Sequence, residues 1–110
     1  MNPELLQEID RLHAELCDAL ADSKRIAMLY ALRDGATTVN QLAEMMDLPQ
    51  ATVSRHLKIL RDRNLVIARR DKMNVYYSVA NPKVLDALDL LRAVLNENLT
   101  HRAKLAKAIA

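Results

Sequence analysis

The sequence predicts a mainly helical α+β domain whose elements follow the order ααααββα. Leu and Ala supply about a third of the 110 residues, and both favour helices. The single Gly and three Pro leave few breaks within these helices. Between residues 65 and 79 the apolar spacing changes from helical to alternating, which is typical of strands. The length fits one domain, residues 1–110.

Two helices are predicted before the only glycine. Asn2 caps the first, with Pro3 at its first helical position. Its apolar stripe consists of Leu5, Ile9, Leu12, Leu16 and Leu20. The second begins near Ser23, and we expect it to stop at Gly35 in a left-handed conformation.

A helix-turn-helix is predicted over about residues 38–63. Its first helix opens with a capping box formed by Thr38 and Gln41. A break at 47–49, which contains a proline, precedes a longer helix over about 50–63. The apolar residues that fasten this longer helix to the domain are Val53, Leu57 and Leu60, and Asn64 can end it.

A β-hairpin, or wing, is predicted over about residues 65–79. Its strands cover 65–70 and 75–79 and are rich in β-branched and aromatic residues, with a four-residue polar turn at 71–74 between them. Asn81 and Pro82 then begin a last helix, predicted over about 82–99. Its stripe consists of Val84, Leu88, Leu91 and Leu95.

The net charge of +2 conceals two opposite regions. Residues 1–22 carry one cation and six carboxylates, a net charge of −5. Residues 55–72 carry seven cations and two carboxylates, a net charge of +5, and the last ten residues add three cations. Such a cluster is typical of a protein that binds a polyanion, although a solvated charged face is the commoner origin of charge runs.

The basic region coincides with the second helix of the helix-turn-helix and with the wing. A helix of this kind can enter the major groove of duplex DNA, and its first residues then reach base edges. Cations on the wing can contact phosphates beside it, whereas basic residues on an exposed hairpin edge also prevent aggregation. The candidate DNA-contacting residues are Thr38, Gln50, Thr52, Ser54, Arg55, His56, Lys58, Arg69, Arg70, Lys72 and Asn74.

Other classes of protein are disfavoured by what the sequence lacks. It has no long apolar run and no secretory leader, and a lone Cys suits a reducing cytoplasm. No motif for nucleotide binding, metalloprotease or serine hydrolase chemistry occurs, so we expect neither an enzyme nor a cofactor.

The run from Gln41 to Val79 resembles the winged helix-turn-helix of the ArsR/SmtB family of bacterial transcriptional repressors. The family's recognition helix carries a similar S-R-H-L-K-x-L motif, matched here at residues 54–60. The resemblance covers roughly residues 20–95. It implies a homodimer built from the first and last helices, about 3–20 and 82–99, that binds a palindromic operator and is released by an inducer. A two-fold dimer places its recognition helices about 34 Å apart.

The inducer is not indicated. The helix that carries paired cysteines in metal-sensing members has none here, and the last helix has no paired histidines. Two carboxylates, Asp86 and Asp89, make a weak zinc site, so metal sensing is disfavoured.

His13 and Cys17, four residues apart on the first helix, are the remaining sensor candidates. They could form a redox-tuned thiol or a shared metal site. The favoured interpretation is a small buried hydrophobe beside a core or interface histidine, because free Cys is among the most buried residue types.

An alternative to DNA binding remains at this point. The same fold could serve as a protein-interaction module whose basic wing binds an acidic partner. Sequence preference among duplexes separates these two functions.

Overall fold

The computed structural model describes residues 1–109, and its elements follow the predicted order. The N-terminal segment consists of α1 (Pro3–Leu12), a π-helical turn (His13–Cys17) and α2 (Asp18–Leu20). The Asn2 side chain accepts hydrogen bonds from the backbone N–H groups of Glu4 and Leu5, so the predicted cap is confirmed. The π turn was not predicted, because nothing in the local sequence distinguishes it from an α-helix.

The second predicted helix is α3 (Ser23–Ala31), and its predicted end was wrong. Leu32 caps the helix, and a turn follows in which the Gly35 N–H donates to the Leu32 carbonyl at 3.3 Å. Gly35 has φ of +152°, which is not the left-handed helical conformation. The helix ends earlier because the helical pattern is replaced by a tighter turn, in which the Arg33 N–H donates to the Tyr30 carbonyl at 3.1 Å.

The helix-turn-helix is formed by α4 (Val39–Met46) and α5 (Gln50–Asp62). Both halves of the predicted capping box are present, with Thr38 accepting from the Gln41 N–H at 3.2 Å. Asp47 and Asn64 adopt positive φ angles of 52° and 59°, so each helix ends in a left-handed residue.

The wing consists of β1 (Val66–Asp71) and β2 (Asn74–Val79), paired antiparallel from Val66 opposite Val79 to Asp71 opposite Asn74. Its turn is shorter than predicted, because residues 71 and 74 already pair and only Lys72 and Met73 connect the strands. Lys72 takes a φ of +58° to close this two-residue turn.

The last helix, α6 (Lys83–Ile109), ends ten residues later than predicted. The Asn81 side chain accepts from the Lys83 N–H at 3.0 Å and opens the helix as expected. Its extension contains no residue that stops a helix, and several good helix formers. No helix within residues 1–109 combines the length and the hydropathy that crossing a membrane requires.

One core joins α3, α4, α5, the start of β1 and the first turns of α6. The predicted anchors Val53, Leu57 and Leu60 are all buried in it. In contrast, α1 contributes no buried residue, and Leu88 is the last buried residue of α6. The architecture is the predicted α+β winged helix.

Candidate nucleic-acid interface

The exposed face of α5 is defined by which of its residues are buried. Leu57 is 1% exposed and lies on the inner face, whereas Ser54, Arg55 and Lys58 lie on the outer face and are exposed. Gln50 is exposed in the first turn, and Thr52 is half-buried beside it. Five polar candidates of the sequence are therefore accessible to some degree on one helix.

The two cations of this face differ in their contacts. Lys58 pairs with Asp62 one turn later, with Nζ and Oδ2 3.3 Å apart. Arg55 forms no ion pair within the described part of the chain. A guanidinium without an internal partner can present its donors to a guanine edge or a phosphate.

His56 does not belong to this face, and its prediction as a DNA contact was wrong. It is 4% exposed, on the inner side of α5, and its Nδ1 lies 3.4 Å from Nη1 of Arg25. Because an arginine can only donate, Nδ1 is the acceptor in this contact. Burial lowers the pKa of His56, and the positive charges of Arg25 and Arg55 lower it further, while Asp22 acts in the opposite direction. The helical periodicity places residue 56 beside Val53 and Leu57, and this could have been used to exclude it.

The wing presents its cations toward solvent. Arg69, Arg70 and Lys72 are exposed, as is Asn74, and Met73 at the tip is 93% exposed. Strand alternation separates the two arginines, which lie opposite Tyr76 and Val75 respectively. The described part of the chain gives none of these cations an ion pair.

The wing is fixed to the start of the helix-turn-helix. Backbone hydrogen bonds of 2.9 and 2.8 Å join Thr37 and Tyr77 in both directions. A shallow depression between α4 and the wing tip is lined in part by Thr38, Asn40 and Asn74. The Thr38 hydroxyl is already the helix cap, so that group is engaged within the protein.

Two arginines missed by the sequence argument connect the N-terminal segment to α5. Arg63, at the end of α5, donates to the carbonyl of Ala14 in the π turn and lies 3.7 Å from the Asp18 carboxylate. Arg25 donates to the Asp18 and Ala19 carbonyls as well as contacting His56. These contacts join residues distant along the chain, and no local pattern marks them.

The sensor candidates lie within the π turn, and both are exposed in the single chain. The expectation that Cys17 is buried is therefore wrong for the protomer. Cys17 lines an apolar groove between the N-terminal segment and α6, together with residues such as Leu16, Val84 and Leu91. Residues 1–109 contain no group of three or more His, Cys, Asp or Glu side chains arranged to hold a metal ion.

Asp89, a metal candidate considered above, has other partners. It accepts a hydrogen bond from the Tyr30 hydroxyl at 2.7 Å and pairs with Arg33 at 3.1 Å. The hydrogen bond from Tyr30 is the main cause that lowers the pKa of Asp89. This carboxylate joins α3 to α6.

Residues 22–68 match the ArsR family of bacterial regulatory proteins. The transcriptional activator HlyU of Vibrio cholerae is 32% identical over 92 residues, which cover 81% of this chain and 85% of HlyU. The transcriptional repressor SmtB homolog of Synechocystis is 41% identical over 73 residues, 66% of this chain but only 55% of that protein. The chain belongs to the ArsR family.

The solved structures agree with this assignment. The homodimeric winged helix-turn-helix DNA-binding domain of Mb0332 from Mycobacterium bovis matches with a TM-score of 0.77 and 29% identity. The match covers 92% of this chain and 93% of that domain. This ArsR-family chain is thus a transcriptional regulator of the winged helix-turn-helix type, and both the predicted fold and the family that residues 41–79 resemble are confirmed.

Proposed function

We propose that this ArsR-family protein is a homodimeric repressor that binds a palindromic operator and leaves it when an inducer binds. The observation that carries the proposal is the division of α5 into a buried apolar face and an exposed face with Ser54, Arg55 and Lys58. A helix held by one face and lined with donors on the other suits entry into the major groove. Gln50 and Thr52 complete the reading surface at its first turn.

The wing supplies phosphate contacts in this proposal. Arg69, Arg70 and Lys72 are exposed cations, and Asn74 lies beside the start of α4. Thr38 lines the same depression, and its hydroxyl, which accepts the capping hydrogen bond, can still donate to a phosphate. The backbone bonds between Thr37 and Tyr77 keep wing and helix-turn-helix at a constant relative position, which a rigid duplex requires.

The dimer is proposed to form through the N-terminal segment and α6. In the single chain α1 buries none of its residues, and Ile9 and Leu95 are 43% and 54% exposed. The radius of gyration is 17.5 Å, against about 13 Å for a compact domain of this length. Exposed apolar helices on an elongated chain are typical of a dimer interface.

Repression is supported by the SmtB homolog, which is named a repressor, whereas HlyU is named an activator. Whether the bound protein represses or activates transcription depends on where the operator lies relative to a promoter. The relatives do not favour the protein-interaction alternative, since both are named as regulators of transcription. The groove beside Cys17 is an accessible apolar site next to the proposed interface, where an inducer could bind.

Selection of bound sequences from a random duplex pool tests the proposal. We expect a palindrome whose half-sites lie one helical turn apart, about 34 Å between centres. The selected duplex is then placed between promoter and reporter, and added protein should reduce transcription in vitro. Enrichment of no sequence over the starting pool overturns the DNA-reading function, and increased transcription overturns repression alone.

A further inference from the structure

Helix α6 carries a seven-residue repeat that the folded core uses only at its beginning. One series consists of Leu88, Leu95, Arg102 and Ile109, and the other of Val84, Leu91, Asn98 and Leu105. Residues seven apart return to within about 20° on an α-helix, so both series lie along one seam. The core covers the seam only at its beginning, where Leu88 is buried, and from Leu91 onward the seam is exposed.

Two polar residues interrupt this seam in the same place. Asn98 and Arg102 are one turn apart, with Leu95 before them and Leu105 and Ile109 after them. Arg102 lies about 20 Å along the helix from Leu88, well beyond the core. It forms no ion pair within residues 1–109. A polar layer in such a seam is costly, and its best-attested use is to fix the register of helix pairing.

The charges of the chain indicate what meets Arg102. The first 22 residues have a net charge of −5, and Glu4 and Glu8 lie one turn apart at the edge of the exposed stripe of α1. Neither carboxylate has an ion-pair partner in the described structure. An exposed acidic helix and an exposed seam with a central cation are complementary between two copies of the chain.

We propose that the seam from Leu91 to Ile109 docks on a second copy of this chain, and that Arg102 pairs there with Glu4 or Glu8 of the partner subunit. The ion pair sets the register of the dimer, while Leu91, Leu95 and Leu105 supply the apolar contact. This inference rests on the proposed dimer. It adds a residue that determines how the two recognition helices are spaced.

Sedimentation equilibrium of the full chain tests the pair. We expect R102E to raise the dimer dissociation constant about 10- to 100-fold, because it places like charges together at a partly buried contact. K104E is the matched control: it has the same change of charge two residues away, about 160° around α6 and off the seam. K104E should change the constant less than about threefold.

Charge exchange identifies the partner residues. E4R/E8R should weaken the dimer as R102E does, and R102E/E4R/E8R should recover most of the affinity by forming the reversed pair. Equal effects of R102E and K104E, or no recovery in the triple variant, overturn the inference. If R102E weakens duplex binding while the dimer is unchanged, Arg102 contacts DNA instead and the inference is also overturned.

The same measurements separate this inference from the proposed function. A wild-type chain that stays monomeric at every concentration contradicts the proposed dimer itself. A wild-type dimer that R102E does not affect contradicts only the role of Arg102.

Discussion

The recognition helix α5 and the N-terminal helix α1 carry apolar stripes of the same period, yet they have different environments. In α5 the stripe is covered by the chain's own core, and Val53, Leu57 and Leu60 are buried. In α1 the corresponding residues, such as Leu5 and Ile9, remain about half exposed. An amphipathic pattern therefore predicts that a face becomes buried, but it does not say whether the same chain or another covers it.

The largest expected effect comes from a substitution in the buried apolar stripe of α5. Leu57→Ala should lower the free energy of unfolding by about 3 kcal/mol, because it removes buried methyl groups and leaves a cavity behind α5. Urea denaturation monitored by circular dichroism measures this loss. Leu5→Ala, on the exposed stripe, is the control and should cost less than about 1 kcal/mol in the monomeric state. Equal losses in the two variants mean that α1 is covered within the protomer.

The next largest effect is expected from a substitution in the exposed apolar stripe of α1. Ile9→Asp should weaken dimerisation by about 2 kcal/mol or more, since it places an unpaired carboxylate in an apolar interface. Size-exclusion chromatography with light scattering over a range of concentrations measures the shift toward monomer. Helix content should be retained, because α1 contributes nothing to the core. If Ile9→Asp leaves dimerisation unchanged, the dimer interface does not include this face of α1.

The same contrast explains which features of the fold could be predicted from the sequence. Helix starts were predictable at Asn2 and Thr38 because caps depend on neighbouring residues alone. The contacts of Arg63 with residues near position 14 join segments about 50 residues apart, which periodicity does not report. The length of α6 was underestimated because the prediction followed its apolar stripe, which weakens at Asn98, rather than the absence of any helix-stopping residue.

The candidate interface shows the same division between local and distant information. The motif at residues 54–60 was enough to identify the family, and Ser54, Arg55 and Lys58 lie on the exposed face. His56 was misplaced because its residue type was weighed without its position on the helix. Its contact with Arg25, from another helix, supplies the reason for a polar residue in that buried position.

An intermediate effect distinguishes the two elements of the proposed DNA surface. Arg55→Ala should reduce discrimination between the selected operator and random duplex by about 1–3 kcal/mol, as expected where a guanidinium reads a base. Lys72→Ala should weaken all duplexes alike and lower the slope of affinity against salt by about one unit. Fluorescence anisotropy titrations at several salt concentrations measure both quantities. If Arg55→Ala weakens binding to all duplexes alike, Arg55 contacts a phosphate and not a base.

The smallest expected effect concerns the buried side of α5. Because burial depresses the pKa of His56 in the folded protein, the unfolded chain binds more protons than the folded one as pH falls below about 6.5. This contribution to stability is therefore complete above that pH and is lost as pH falls toward the folded-state pKa. Urea denaturation between pH 8 and about pH 5 should show the loss, and His56→Gln should reduce it, because an amide oxygen still accepts from Arg25 but does not titrate.

The control for this last effect is His101→Gln, at an exposed position near the end of α6. It should change the free energy of unfolding by less than about 0.5 kcal/mol, since its exposed ring has no buried contact to lose. If His56→Gln does not alter the pH dependence of unfolding, the proton-linked group is a residue other than His56. If His56→Gln changes the pH dependence of unfolding no more than His101→Gln does, His56 is hydrated in the folded protein, and the inner face of α5 is then less firmly covered at His56 than at Leu57.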